Sequence, residues 1–184
     1  VVVLAVMAIL AAIMTPTIMK NIDDSKMARA NNEVQVIAAA LASCYKDLGF
    51  WPRSSDHANA ATRNNLVLLY SAQGDVATSS LGQANPWIST TATAGTLESQ
   101  LIANPGYTTT GERRWAGPYI AEIKADPWGN RYAVNVGQMA TTGAAAQAVW
   151  VYCTGPDKIA NTDSTQLLTA SPALANDDIG VRLR

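Results

Sequence analysis

VVVLAVMAILAAIMTPTIMKNIDDSKMARANNEVQVIAAALASCYKDL, residues 1–48, decides the fold. Its first nineteen residues carry no charge, and the first ionisable side chain is Lys20. That is an apolar run of membrane-spanning length. The rival reading, the core of a cleaved signal peptide, expects a shorter run with a basic stretch before it and a small-residue cleavage site after it; neither flank fits. The chain starts inside the run and without methionine, so residues upstream of Val1 are expected to have been processed away or to lie outside the sequence.

The run passes into a helical pattern without a loop. Met27, Ala30, Val34, Ile37, Leu41, Cys44 and Leu48 recur in steps of three and four, with Lys26, Arg29, Asn32, Glu33, Lys46 and Asp47 between them, which predicts one apolar and one wet face. Pro16 is the one breaker and is expected to kink or locally melt the helix. Otherwise residues 1–48 form a single spine of roughly 70 Å at about 1.5 Å per residue. The alternative is a membrane anchor followed by a separate amphipathic helix. Gly49 and Pro52 end the helix. The expected organisation is an apolar half over residues 1–24, an amphipathic half over 25–48, and a head over 49–184.

Charge and composition limit the functions open to the chain. A content of 48% hydrophobic and 15% charged residues supports a real core and excludes a disordered chain. Thirteen basic against fourteen acidic residues leave a net charge of −1, so no long-range field draws the protein onto nucleic acid. Cys44, Cys153 and the lone His57 are too few for a four-ligand zinc site, and the cysteines are too far apart for a CxxC motif. They form either a disulfide or two buried thiols, and the disulfide is the expectation set here. Its closed loop of about 100 residues would contribute roughly 4–5 kcal/mol and require an oxidising compartment. His57 stands in SSDHANA, residues 54–60, beside Ser54, Ser55 and Asp56. Adjacency in sequence does not make a triad, whose members converge in space, so an enzyme is not expected.

The head reads as α+β. Residues 53–100 form a long connection rich in Ala, Ser, Thr and Asn, with one short apolar segment, NNLVLLY, at 64–70. GTLESQLIAN, 95–104, predicts a short helix with Leu97, Leu101 and Ile102 inward. RYAVNV, 131–136, alternates Tyr132, Val134 and Val136, and AVWVYC, 148–153, predicts a second strand, with GQMATTGAAAQ between them as a hairpin loop. Together these predict a small antiparallel sheet packed beside the helical spine. DPWGN, 126–130, reads as a turn feeding a strand: Pro127 fixes one torsion, Gly129 permits a positive one, and Asp126 and Asn130 bond local amides. Trp128 then seats the turn on the spine; the other reading, a ligand-stacking tryptophan, has no nucleophile, base or oxyanion donor beside it.

Several of these stretches resemble the type IV pilin superfamily, most closely the major pseudopilins of type II secretion. MTPTIM (14–19) places a proline soon after the apolar half, YKDLGFWP (45–52) is similar to the family's helix ending, and GPYIAEIKADPWGNRYAV (117–134) resembles its central motif. YCTGPDK (152–158) and NDDIG (176–180) resemble its closing loop. The resemblance implies a structural subunit that polymerises into a filament, with Val1, Leu4, Met7, Leu10, Ile13, Pro16, Lys20, Asp23 and Asp24 in assembly contacts. Lys26, Arg29 and Glu33 continue this mixed-sign belt, whose other reading is a solvated helix face. The implied partners are copies of the chain, an inner-membrane assembly platform and a prepilin peptidase that leaves a methylated N-terminus. The implied location is the inner membrane before assembly, then a periplasmic or extracellular bacterial filament. The family's glutamate near the mature N-terminus would fall just upstream of Val1.

The resemblance also implies calcium, held by Asp157, Asp177, Asp178 and the backbone of Thr154. Calcium needs about six to eight oxygen ligands. KIANTDSTQLLTASPALA, 158–175, departs from the family by lengthening the loop, and it either supplies Asp163 or Ser164 as substitutes or abolishes the site. The plainer reading is of solvated turn carboxylates. A larger head, with Thr-rich ISTTATAGT (88–96) and YTTTGERR (107–114), and the cysteine pair favour the alternative of a surface pilus for adhesion or motility. No Asn-X-Ser/Thr acceptor occurs.

Overall fold

The computed structural model describes residues 2–81, 87 and 93–184, except for the side chains at positions 5, 8, 9 and 11–17. Helix α1 is continuous over Val2–Leu48, through Pro16. Its sequence periodicity is its packing face: Ala30, Val34, Ile37, Leu41, Cys44 and Leu48 are buried, and Met27 packs at the edge. Gly49 closes the helix by donating its N–H to the Tyr45 carbonyl at 2.7 Å.

The head carries β1 (Leu68–Tyr70), β2 (Thr78–Ser79), β3 (Ala94–Thr96), α2 (Leu97–Leu101), β4 (Ala133–Val134), β5 (Trp150–Cys153), β6 (Ile159–Ala160) and β7 (Ile179–Arg182). The main sheet has the order β3-β1-β4-β5-β7, and α1 packs on β5 and β7. This is the expected α+β arrangement of a helical spine on a sheet. One expectation is corrected: the sheet is mixed, because β1 and β3 run parallel while the other pairs are antiparallel. The connection over 71–93 is long enough for the crossover that a parallel pair needs. A second, two-stranded parallel ladder joins β2 to β6.

The stretch read as one long connection therefore supplies two strands of the main sheet. NNLVLLY becomes β1, in the sheet interior between β3 and β4. The helix predicted at 95–104 forms as α2, with Leu97 and Leu101 buried and Thr96 capping its start by accepting the Ser99 amide at 3.2 Å. Parts of the Thr- and Ser-rich stretches 77–87 and 88–96 lie outside the described residues.

Both faces of the sheet are covered. Leu69, Tyr132, Val134, Val136, Val151, Cys153 and Ile179 join the helix in one core. Leu68, Ala133, Trp150 and Tyr152 point the other way, into a second core with Trp87 and Ala160. Alternation along the strands is thus real, but it switches between two apolar cores rather than between core and water. Trp87 stacks on Tyr152 with ring centroids 4.4 Å apart, and its indole donates to the Thr162 carbonyl at 2.8 Å. The chain between the two acidic motifs, 158–175, helps cover this second face: Ala160 lies in that core, and Leu168 and Leu174 pack against it.

Candidate functional site

The helix has two ends with different surroundings. From Ala30 onward it is buried on one side by the head, whereas Val2, Leu4, Met7 and Leu10 are 78%, 72%, 62% and 55% exposed. Ile18, Met19 and Ile22 continue this bare apolar surface. Side chains so placed are unfavourable in water at about 25 cal/mol per Å² of apolar surface, so this segment is an apolar surface that the head does not cover. Among the described residues no helix is long and apolar enough to cross a membrane. Of the assembly residues expected above, Val1 and the side chains of Ile13 and Pro16 lie outside the described set. Lys20, Asp23 and Asp24 are exposed, and the ion pairs among the described residues, Arg29–Glu33 and Glu122–Lys124, do not involve them.

DPWGN sits where the head meets this bare segment. The Asp126 carboxylate Oδ1 accepts the amides of Trp128 at 2.9 Å and Asn130 at 2.8 Å, and the Asp126 carbonyl accepts the Gly129 amide at 3.0 Å. Gly129 has φ +96°, a conformation that a side chain would strain. Asn130 donates through Nδ2 to the Thr154 hydroxyl at 2.7 Å, which ties the turn to the closing loop. Trp128 packs against the helix-side core. Burial pushes the Asp126 carboxyl above its usual value, against the pull of the three local amides.

A polar clamp fixes the helix beside this turn. Glu33 accepts the Tyr132 hydroxyl through Oε2 and the Arg29 guanidinium through Oε1 at 2.8 Å, and Arg29 also reaches the Ala125 carbonyl at 3.5 Å. The sequence placed Glu33 in a mixed-sign belt expected either to pair between subunits or to face water, whereas both its oxygens are taken within the chain. Tyr132 lies 99 positions away, so only its inward place in the alternation of RYAVNV hinted at the contact.

In the closing loop, Asp157 and Asp177 meet: the Asp157 amide donates to Asp177 Oδ2 at 2.9 Å. Asp157 itself accepts the Ile159 amide at 2.7 Å and Asn161 Nδ2 at 3.0 Å. Asp178 faces inward, 7% exposed, and accepts four donors. Thr154 is buried; the bond from Asn130 holds its hydroxyl and leaves aside the backbone oxygen expected as a ligand. A calcium ion needs several oxygens converging with free lone pairs, and this arrangement does not fit one. Among the described residues no three His, Cys, Asp or Glu side chains converge on a point. The substitutes weighed in the lengthened loop do not fit either: Asp163 is bonded to the amide and hydroxyl of Thr165, and Ser164 is fully buried.

Cys44 and Cys153 are both buried in the helix-side core and both are free thiols, so the expected disulfide is corrected to the second reading. Burial pushes each thiol from an ordinary value of 9.0 up to about 12. A thiol so shifted favours the fold fully below pH 9, and that contribution is lost as pH rises towards 12. We expect the native protein at pH 8 to resist iodoacetamide and to take up two labels once unfolded in guanidinium. Rapid native labelling, or an intact mass lower by two hydrogens, would contradict this.

His57 serves packing. Its ring stacks on Phe50 at 5.0 Å and tilts against Tyr107 at 4.7 Å, while Nδ1 meets the Ser54 hydroxyl at 3.1 Å. Ser54 is fully buried and its hydroxyl also accepts the Asn64 amide, which leaves no access for a substrate. Asp56 caps the Ala58 amide rather than orienting the imidazole.

Sequence reasoning also missed Asn135. Its buried side chain, just past the end of β4, donates to the carbonyls of Ala148 and Ser164 and accepts the Trp150 amide, at 2.7–2.9 Å. A lone amide in the otherwise apolar stretch AVNV, just past β4, was the available signal.

Residues 91–169 match the family model described as type II secretion system (T2SS), protein G. The matched stretch runs from just before β3 through α2, the DPWGN turn, β4, β5 and β6, and it ends before the acidic pair. It is less than half of the chain, and the match supports a type IV pilin-like pseudopilin. No curated protein and no solved structure matches the chain.

Proposed function

We propose that the chain is a structural subunit that polymerises through its N-terminal helix into a helical filament, a type II secretion pseudopilus. The observation that carries this reading is the division of α1: one half is buried against the head, and the other is apolar in sequence and exposed at its described side chains. The likeness of residues 91–169 to secretion protein G supports it.

The mechanism follows from how apolar helices partition. A helix can leave lipid and enter a bundle of like helices at little solvation cost, because both surroundings are apolar and packing decides between them. The subunit is thus stored in the inner membrane and extracted into a polymer, with an assembly platform and a prepilin peptidase as its implied partners. A head fixed on one end of the spine makes head-to-tail contacts, which propagate as an open helix when they do not close. Lys20, Asp23 and Asp24 then pair between subunits, each pair contributing about 0–1 kcal/mol. The filament crosses the periplasm and serves protein export. The surface-pilus alternative loses one support, since the cysteines are unpaired.

Deleting the gene in its own bacterium tests this reading. Folded exoproteins are expected to accumulate in the periplasm, with export restored by the intact gene but reduced with Asp23→Lys/Asp24→Lys. Unchanged export together with loss of surface filaments would point to a pilus instead.

A further inference from the structure

The closing loop has a feature that a metal-held loop does not need. Asp178 Oδ1 accepts the Tyr152 hydroxyl at 2.9 Å. Its Oδ2 accepts the Asn161 amide at 3.1 Å, the Thr162 amide at 2.7 Å and the Thr162 hydroxyl at 2.6 Å. A carboxylate offers about four lone-pair sites over its two oxygens; here three donors crowd Oδ2 and one takes Oδ1. Three of them come from the lengthened segment 158–175, and the fourth comes from β5. The same Thr162 hydroxyl accepts the Ala175 amide at 3.0 Å, and the Thr162 carbonyl holds the Trp87 indole. Approach to the acidic pair is also tight: a Cβ added at Gly155 would stand 2.2 Å from the Asp177 carbonyl.

From this geometry we propose that the closing loop is stapled by Asp178 through hydrogen bonds from the lengthened segment, and that its order does not depend on calcium. The extra residues supply N–H and O–H donors to the carboxylate in place of a cation. A buried carboxylate that accepts several donors needs no counter-ion at contact distance. Thr162 is central, because its amide and hydroxyl both bind Asp178 while its hydroxyl also holds Ala175. The proposal concerns the head and stands whether or not the chain assembles as described above.

Thermal unfolding of the full chain in detergent micelles, followed by near-ultraviolet circular dichroism of the tryptophans, tests it. The wild-type midpoint is expected to coincide in excess calcium chloride and in excess chelator. Thr162→Val is expected to lower the midpoint by several degrees equally in both, with no rescue by calcium. A wild-type midpoint raised by calcium overturns the proposal, as does a Thr162→Val midpoint equal to that of wild type. Should Thr162→Val fail to fold, the comparison of wild type with and without calcium decides alone.

Discussion

Leu41→Ala is expected to lower stability by about 2–5 kcal/mol, the usual cost of removing a fully buried leucine and leaving a cavity. Leu41 has no exposed surface and lies in the face of α1 that meets the sheet. The head's main core is built on that face, so a void there weakens the attachment of spine to sheet. Val36, on the same helix but 54% exposed, provides the control. Its change to alanine should fall within about 0.5 kcal/mol of wild type. Urea unfolding read by tryptophan fluorescence measures both variants, and a Leu41→Ala loss no larger than that of Val36→Ala would refute the packing assigned to the spine.

The second large effect is expected at the turn. Asp126→Ala removes the acceptor for the Trp128 and Asn130 amides, and unmet donors in this buried place cost about 1–3 kcal/mol. Asp126→Asn keeps the Oδ1 acceptor and should lose less. The second carboxylate oxygen, Oδ2, is buried without a partner, and burial holds the carboxyl above its usual 3.8. The fold therefore takes up this proton more readily than the unfolded chain does. The associated stability is present in full below pH 3.8 and is lost as pH rises through the folded value. Measured against Asp126→Asn, wild type should become relatively less stable from acid towards neutral pH. A gap that moves the other way would show that the amide bonds, not burial, govern the ionised form.

The spine was legible because one rule, apolar residues in steps of three and four, held without interruption from Met27 to Leu48. The turn was legible because Pro, Gly, Asp and Asn each carry their own backbone chemistry, which neighbours do not alter. The sheet was only half legible. AVWVYC and RYAVNV carried strand patterns, but β1 looked like a short apolar break in a loop, and β7 carried too few apolar residues to stand out. Their strand character comes from pairing with residues distant in sequence, as in Val151 opposite Val181. The closing loop shows the same limit. The sequence marked Asp157, Asp177 and Asp178 as a group, yet which donors they meet depends on where the segment 158–175 folds back. Thr162 carried no mark in the sequence. The Glu33–Tyr132 clamp and the burial of Cys44 and Cys153 as unpaired thiols are likewise consequences of tertiary placement.

Shearing cells that overproduce the full chain, and examining the released material by negative-stain electron microscopy with gold-labelled antibody to the head, tests the central claim most directly. Labelled helical filaments are expected, and they should vanish when Leu4, Met7 and Leu10 are replaced by serine, while the head keeps its fold. Labelled protein found only as dispersed monomers in the envelope, with the export machinery intact, would contradict it.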